Sequence, residues 1–426
     1  MLDIQTIRDD PERVRQALRN KGLGDADMVD RVLHFDVERR TALTALQDVQ
    51  ARLNFVSHEI GELMRQGNKD EAQQRIAETG RLKEQIKEWE EQTRLAETSL
   101  EALLLEIPNL PHESVPIGHS PEENVVVHEE GLKPAFDFEP LPHWELAARH
   151  GLIDFERGAK VTGAGFPFYL GQGARLQRAL INFFLDLAVE EGGYREVQAP
   201  LFVNAESARG TGQLPDKEDQ MYVIALDGFY AIPTAEIPLT NYYRDEILAE
   251  AELPIKLCGC TANFRREAGS YGKHVRGLNR VHQFDKVELV HFVHPDTSYK
   301  ALEELREAAE RAVRRLGLPY RRLLMCTGDM GFTQAKKYDL EVWSAGQQRW
   351  LEVSSISNFE AFQARRMQIR YRPADGGKPQ IVHTLNGSAL ALPRIVATLL
   401  ENNQQADGSI VVPEALWPYT GFERIG

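Results

Sequence analysis

The 426-residue chain is poor in cysteine, with only Cys258, Cys260 and Cys326. Three are too few for a disulfide framework. Cys258-Gly-Cys260 also lacks the second pair a zinc site needs, so the thiols read as reduced and structural. No apolar run approaches the roughly 18 residues of a membrane span. The opening MLDIQTIRDDPERVRQ carries acidic residues and no apolar h-region, so it does not read as a secretory signal. These absences predict a cytoplasmic protein without a membrane segment, where the Asn386-Gly-Ser388 sequon has no force. Two nucleotide fingerprints are missing as well: there is no G-x-x-x-x-G-K-[ST] and no strand-linked G-x-G-x-x-G. A net charge of −14 argues against indiscriminate coating of nucleic acid, while leaving room for local basic patches.

What is present is ordinary in bulk, with 42% hydrophobic and 27% charged residues, and long enough for two or three domains. Periodicity makes the first domain legible. Met28, Val32, Phe35, Ala42, Leu46, Val49, Leu53, Val56, Ile60 and Leu63 follow an alternating 4,3 spacing broken only at Arg39. After Gly67-Asn68 the spacing resumes through Leu82, Ile86, Trp89, Thr93, Ala96, Leu100, Leu103 and Ile107. Two heptad seams joined by so short a break predict antiparallel neighbouring helices of roughly 35 residues, about 50 Å long. The polar face, with Arg52, Lys69, Arg75, Arg81, Lys83 and Lys87, must meet water or a partner. A dimerisation coiled coil and a rigid arm reaching for a large ligand both fit. Pro108, Pro111, Pro116 and Pro121 predict a stiff linker over 111–124. From Val125 onward irregularly mixed strands and helices predict an antiparallel α+β domain, 125–426.

The segment Phe264–Glu288, FRREAGSYGKHVRGLNRVHQFDKVE, reads as strand, basic glycine-bearing loop, strand. Five positive charges and one negative over 265–280, on an acidic protein, suit a polyphosphate ligand; a solvated surface hairpin is the plainer alternative. Without a phosphate-binding glycine loop, arginine forks must do the work, and Arg265 and Arg394 are the candidates. Arg394 lies in HTLNGSALALPRIVATLLEN, read as a strand or turn, a small-residue bend and a helix with Pro393 in its first turn. Leu340–Phe359 alternates with period two around a Gly-containing turn, a predicted hairpin. It puts Glu352 and Ser355 near a strand end, where Mg²⁺ could find oxygen ligands. Thr234-Ala235-Glu236, before a helix-like stretch from Pro238 to Leu248, suits either a small zwitterion or simple capping.

Taken jointly, these segments resemble the class II aminoacyl-tRNA synthetases, and within them the bacterial seryl-tRNA synthetases. FRREAGS…RVHQFDKVE resembles motif 2, HTLNGSALALPRIV motif 3, and Gln172–Pro200 motif 1. GTGQLPDKEDQMY and TAEIPLTNYYRDEIL look like seryl-type segments, and the class I signatures HIGH and KMSKS are absent. The resemblance implies an antiparallel-sheet catalytic domain behind an N-terminal tRNA-binding domain, 1–110, whose coiled-coil arm spans about 28–107. It implies ATP, Mg²⁺, L-serine and tRNA-Ser as ligands, tRNA-Sec as a further substrate, and a homodimer formed through motif 1. By the same resemblance Arg265 and Arg394 are catalytic, Arg265 on the α-phosphate and carboxylate and Arg394 on the γ-phosphate. Arg266, Glu267, Val281, Phe284, Val353 and Ser354 complete the ATP site, with Phe284 under adenine and Glu267 at its amino edge. Glu352 and Ser355 would hold Mg²⁺. Thr234, Ala235, Glu236, Glu288 and Ser388 would hold serine together with Arg265, and Ser270, Tyr271 and Lys273 would meet tRNA. A site that rejects alanine needs buried groups left unpaired without the hydroxyl, and Glu288 and Ser388 are the candidates. Two rivals stand beside this expectation: an amino acid:carrier-protein ligase on the same body, and a non-enzymatic RNA-binding scaffold. The intact heptad hairpin weighs against the first, and the presence of Arg265, Glu267, Glu352 and Arg394 against the second.

Overall fold

The computed structural model describes residues 1–267 and 276–426. Ser270, Tyr271 and Lys273 therefore lie outside the described residues. The chain divides into two compact units, Met1–Pro108 and Asn109–Gly426.

In the first unit, α1 (Ile4–Asp9) is capped by the Asp3 carboxylate and α2 (Pro11–Lys21) by that of Asp10, each accepting a backbone N–H near the helix start. Two long helices follow, α3 (Asp27–Gln66, 40 residues) and α4 (Lys69–Glu106, 38 residues). At 1.5 Å per residue each runs about 60 Å, somewhat longer than the spacing predicts. Gly67, in the left-handed region at φ +83, closes α3 and turns the chain. The 4,3 positions are buried or half-buried along both helices, and polar residues face outward. Arg52 donates to Glu78 at 2.8 Å and Arg75 lies 3.5 Å from Glu59, which fixes the register between the two helices. The break at Arg39 has a cause that periodicity alone does not reveal. Asp36 is fully buried, and Arg8, Arg39 and Arg40 converge on it at 3.3, 3.4 and 2.9 Å. The cluster pins α1 to the base of the arm. Asp36→Ala is expected to leave three facing guanidinium groups and to cost about 1–3 kcal/mol. A urea unfolding midpoint equal to that of the parent would contradict this.

The second unit is built on an eight-stranded sheet. Its strands are β1 (Val125–Glu130), β2 (Arg195–Glu196), β3 (Ile255–Phe264), β4 (Gln283–Val293), β5 (Tyr320–Leu324), β6 (Lys336–Ser344), β7 (Arg349–Glu360) and β8 (His383–Ala391). They lie in the order β1-β5-β6-β7-β8-β4-β3-β2, antiparallel throughout except for the β2–β3 edge. The helices α5 (His143–Arg149), α6 (Gly171–Asp186), α7 (Ser298–Arg315) and α8 (Leu392–Asn402) pack apolar residues, among them Leu180, Phe184, Leu302, Leu305, Ile395 and Leu399, with Val287 and Leu289 of β4 into the main core. Alternation then sends Phe284, Lys286 and Glu288 to the opposite face. That face carries the site.

Three local readings change. The stretch read as a stiff linker is part of the second unit and is hydrogen-bonded within it: the Asn109 amide donates to the Thr333 and Phe359 carbonyls, and the Thr327 N–H donates to the Pro116 carbonyl. The helix expected over 238–248 is only Glu236–Thr240, because Ile247–Ala249 leaves to pair in parallel with Arg370–Arg372. And β8 runs directly into α8 without a bend. A bulge against β4 between Lys286 and Glu288, with Leu390 at φ +84, re-aims the chain instead.

Candidate active site

Two adjoining cavities, with empty volumes of about 680 and 1260 Å³, form one cleft over β4, β7 and β8. They share Arg265, Glu267, Arg280, Lys286, Glu352, Ser355 and Ser388. The smaller lobe adds Val281, Phe284, Val353, Ser354 and Arg394; the larger adds Thr234, Glu236 and Glu288. Residues expected to serve a nucleotide and residues expected to serve an amino acid thus meet along a common seam.

Arg265 leaves the end of β3, where its Nε donates to the Pro233 carbonyl at 3.2 Å and its guanidinium lies 5.1 Å from the Phe284 ring centroid. His282 supports it from behind, with Nδ1 2.8 Å from the Arg265 carbonyl. Burial lowers the Arg265 pKa, opposed by the carboxylates of Glu267 and Glu352. A cation already stripped of water gains more from an arriving anion than a solvated one does. Glu267 adopts φ +49 and pairs with Arg280. Arg394, in the first turn of α8, donates to the Asn279 carbonyl at 3.0 Å and the Glu352 carbonyl at 2.6 Å. Its guanidinium is also 3.9 Å from the Glu352 carboxylate. Glu352 lies deep among protein atoms yet keeps 48% of its side-chain surface open. Burial alone would raise its pKa, but Lys337, Arg394, Arg265 and Lys286 outweigh that and hold it ionised.

The larger lobe centres on a buried polar triad. Thr234 Oγ1 donates to Glu288 Oε2 at 3.2 Å and accepts from Lys286 Nζ at 3.0 Å and from the Glu236 N–H at 3.2 Å. Lys286 also forms an ion pair with Glu288. Glu236 accepts from Gln363 at 2.6 Å, and its pKa is raised by burial and by the nearby charge of Glu288. Ser388 faces Glu288 across the β4–β8 pair. Two carboxylates and a threonine hydroxyl around one lysine can accept an ammonium and a hydroxyl together.

Two expected site residues stand apart. Ala235 is buried in an apolar cluster with Leu239, Leu257 and Val290, and the Arg266 side chain is exposed; neither lines the cleft. Lys286, Lys337, Asn279 and Gln363 line or brace it without having been singled out from sequence. The signal for Lys286 was available, since it stands midway between Phe284 and Glu288 in a period-two strand. Gln363 and Lys337 come from distant segments and left no such signal.

Residues 1–111 match the seryl-tRNA synthetase N-terminal domain, and residues 224–403 match the tRNA synthetase class II core domain (G, H, P, S and T). The serine–tRNA ligase of Salinibacter ruber is 65% identical over 426 residues, covering 100% of this chain and 99% of the relative. The crystal structure of seryl-tRNA synthetase from Pyrococcus horikoshii complexed with ATP superposes with a TM-score of 0.94 at 36% identity, over 100% of this chain and 99% of that one. The cytoplasmic serine–tRNA ligase from Naegleria fowleri in complex with AMP gives 0.88 at 30% identity, over 100% and 98%. With helical arm, antiparallel sheet and cleft all in place, the chain belongs to the class II seryl-tRNA synthetase family.

Proposed function

We propose that the chain activates L-serine with ATP and transfers it to the 3′ end of tRNA-Ser, and of tRNA-Sec where one exists. The observation that carries this reading is the seam: an arginine-lined lobe and a carboxylate–threonine–lysine lobe open onto each other at Arg265. In the first step a serine carboxylate oxygen attacks the α-phosphorus and pyrophosphate leaves, giving seryl-adenylate. Both reactants are anionic, so positioning and charge neutralisation supply most of the rate. Arg265 sits at the junction, where it can bind the carboxylate and the α-phosphate together; Arg394 clasps the γ-phosphate. Val281, Phe284 and Glu267 form the base pocket, with Val353 and Ser354 along its floor. Thr234, Glu236, Glu288 and Ser388 hold the serine ammonium and hydroxyl. The open Glu352 carboxylate and the Ser355 hydroxyl fit a magnesium ion, a hard cation that takes one or two carboxylates and completes its shell with phosphate oxygens. Bound there, it would offset phosphate charge.

The second step needs a tRNA brought to the cleft. A rigid helical hairpin of about 60 Å, with Lys69, Arg81, Lys83 and Lys87 on its exposed surface, suits recognition of RNA by shape and backbone. Ser270, Tyr271 and Lys273 are proposed at the acceptor end. The amphipathic α6, in the motif 1 segment, is the proposed surface for a homodimer, and 1–110, 111–124 and 125–426 are the proposed functional divisions. No described helix is long and apolar enough to cross a membrane; work in the cytoplasm is part of the proposal.

ATP–pyrophosphate exchange measured with serine, alanine, glycine and threonine tests the reading. Exchange led by serine supports it, exchange led by glycine or alanine points to a carrier ligase, and no exchange with any of them sinks it. Arg265→Lys keeps the charge but loses the two-pronged fork, and serine-dependent exchange is expected to fall about a hundredfold. Exchange close to that of the parent would remove Arg265 from the reacting centre.

A further inference from the structure

Residues 277–279 are held by a network of His143, Glu401, Ser344 and Gln347, none of which lines the cleft. His143 opens α5 and Glu401 lies near the end of α8, and both side chains are fully buried. His143 Nδ1 is 2.7 Å from Glu401 Oε1, and the His143 backbone N–H donates to the same oxygen at 2.9 Å. The other Glu401 oxygen accepts from the Ser344 hydroxyl and from the Gly346 N–H at 3.2 Å. Burial would raise the Glu401 pKa, but the bonds from His143 and Ser344 outweigh it and the pKa is lowered. An ionised carboxylate only accepts, so the imidazole proton sits on Nδ1 and leaves Nε2 as an acceptor.

That Nε2 receives the Leu278 backbone N–H at 2.8 Å. The preceding residue is glycine for a steric reason: a Cβ on Gly277 would stand 2.2 Å from Nε2. The following residue carries the contact onward, because the Asn279 carbonyl accepts from Arg394 Nε at 3.0 Å. The Asn279 side chain is braced by Gln347 at 2.8 Å, and Gln347 donates to Glu401 at 3.0 Å. Leu278, Asn279 and Arg394 all line the smaller lobe; His143 and Glu401 line neither.

We infer that His143, oriented by Glu401, is a positioning residue for the ATP lobe: its acceptor nitrogen fixes the 277–279 backbone and, through Asn279, the guanidinium of Arg394. This rests on the reading of the smaller lobe as an ATP site. Loss of the acceptor weakens ATP and leaves the serine pocket, built on β4 and the Thr234 segment, nearly untouched.

The test uses the full-length protein. ATP is titrated calorimetrically without serine, and exchange is followed with each substrate varied in turn, in the parent, His143→Leu, His143→Gln and His143→Asn. Gln can place an oxygen where Nε2 stands; Asn is too short. One lost buried hydrogen bond amounts to about tenfold, so Kd and KM for ATP should rise about tenfold in Leu and Asn, with KM for serine within about twofold. Gln should recover most of the loss. Equal ATP affinity in Gln and Asn overturns the inference, as does a parallel rise in both KM values, which is what a merely structural role gives. If His143→Leu does not fold, the Gln–Asn comparison decides alone. A parent that binds ATP but exchanges with no amino acid defeats the proposed reaction while the titration still judges His143. A parent that does not bind ATP overturns both.

Discussion

Replacing Glu288 by alanine is expected to slow serine-dependent pyrophosphate exchange at least about tenfold, and the buried setting makes that a lower bound. Glu288 is 2% exposed and takes both the Lys286 ammonium and the Thr234 hydroxyl. Removing it strands a buried lysine charge beside the proposed seat of the serine ammonium. The loss therefore combines a missing contact with a new repulsion, and truncating one partner of a buried, hydrogen-bonded charge pair typically costs about 2–5 kcal/mol. The effect should fall on the serine KM and on kcat, with ATP affinity in the absence of serine largely preserved. Exchange in Glu288→Ala at the parental rate would refute its role. Glu288→Gln separates the two causes: it retains a hydrogen-bond acceptor and removes the charge, and should fall between the parent and alanine.

Shortening the arm should have the opposite signature. Arg52 meets Glu78 and Glu59 meets Arg75, so positions 49 and 84 lie across the hairpin from each other. Excising 50–83 and closing the gap with a short glycine-rich turn keeps the heptad base and the Asp36 cluster. Serine-dependent exchange should stay within about twofold, while tRNA charging falls about a hundredfold or more, the equivalent of some 3 kcal/mol of lost RNA contact. Charging that survives at the parental kcat/KM would mean that the arm does not carry tRNA and would return the hairpin to a dimerisation role. Because phosphate contacts release counterions, the parent's charging KM should also climb more steeply with salt than that of the shortened protein.

The two experiments probe parts of the molecule that were not equally visible in the chain. Heptad spacing, the Gly67-Asn68 break and the period-two runs around Phe284 and Glu352 are local patterns, and local geometry writes them into consecutive residues. They sufficed for the helical hairpin, the antiparallel sheet and a few cleft residues such as Arg265, Glu352 and Arg394, while motif resemblance supplied Val281, Val353, Ser354 and Ser388 and the proposed roles. What went unread depends on contacts between distant segments. Arg39 looks like a flaw in a heptad until it is seen to pair with the buried Asp36, which Arg8 also reaches from another helix. Ile247–Ala249 reads as helix until Arg370–Arg372 offers it a strand partner. His143 and Glu401 are 258 residues apart and meet only when α5 and α8 pack together. By itself the sequence determined most of the helices and strands and singled out Arg265 and Arg394, because propensity and alternation act over a few residues. Only the tertiary structure decided how Lys286 neutralises Glu288, how Arg394 is tethered to Asn279 and Glu352, and what braces residues 277–279 from behind. Burial, orientation and hydrogen-bond partnership are properties of the packed chain.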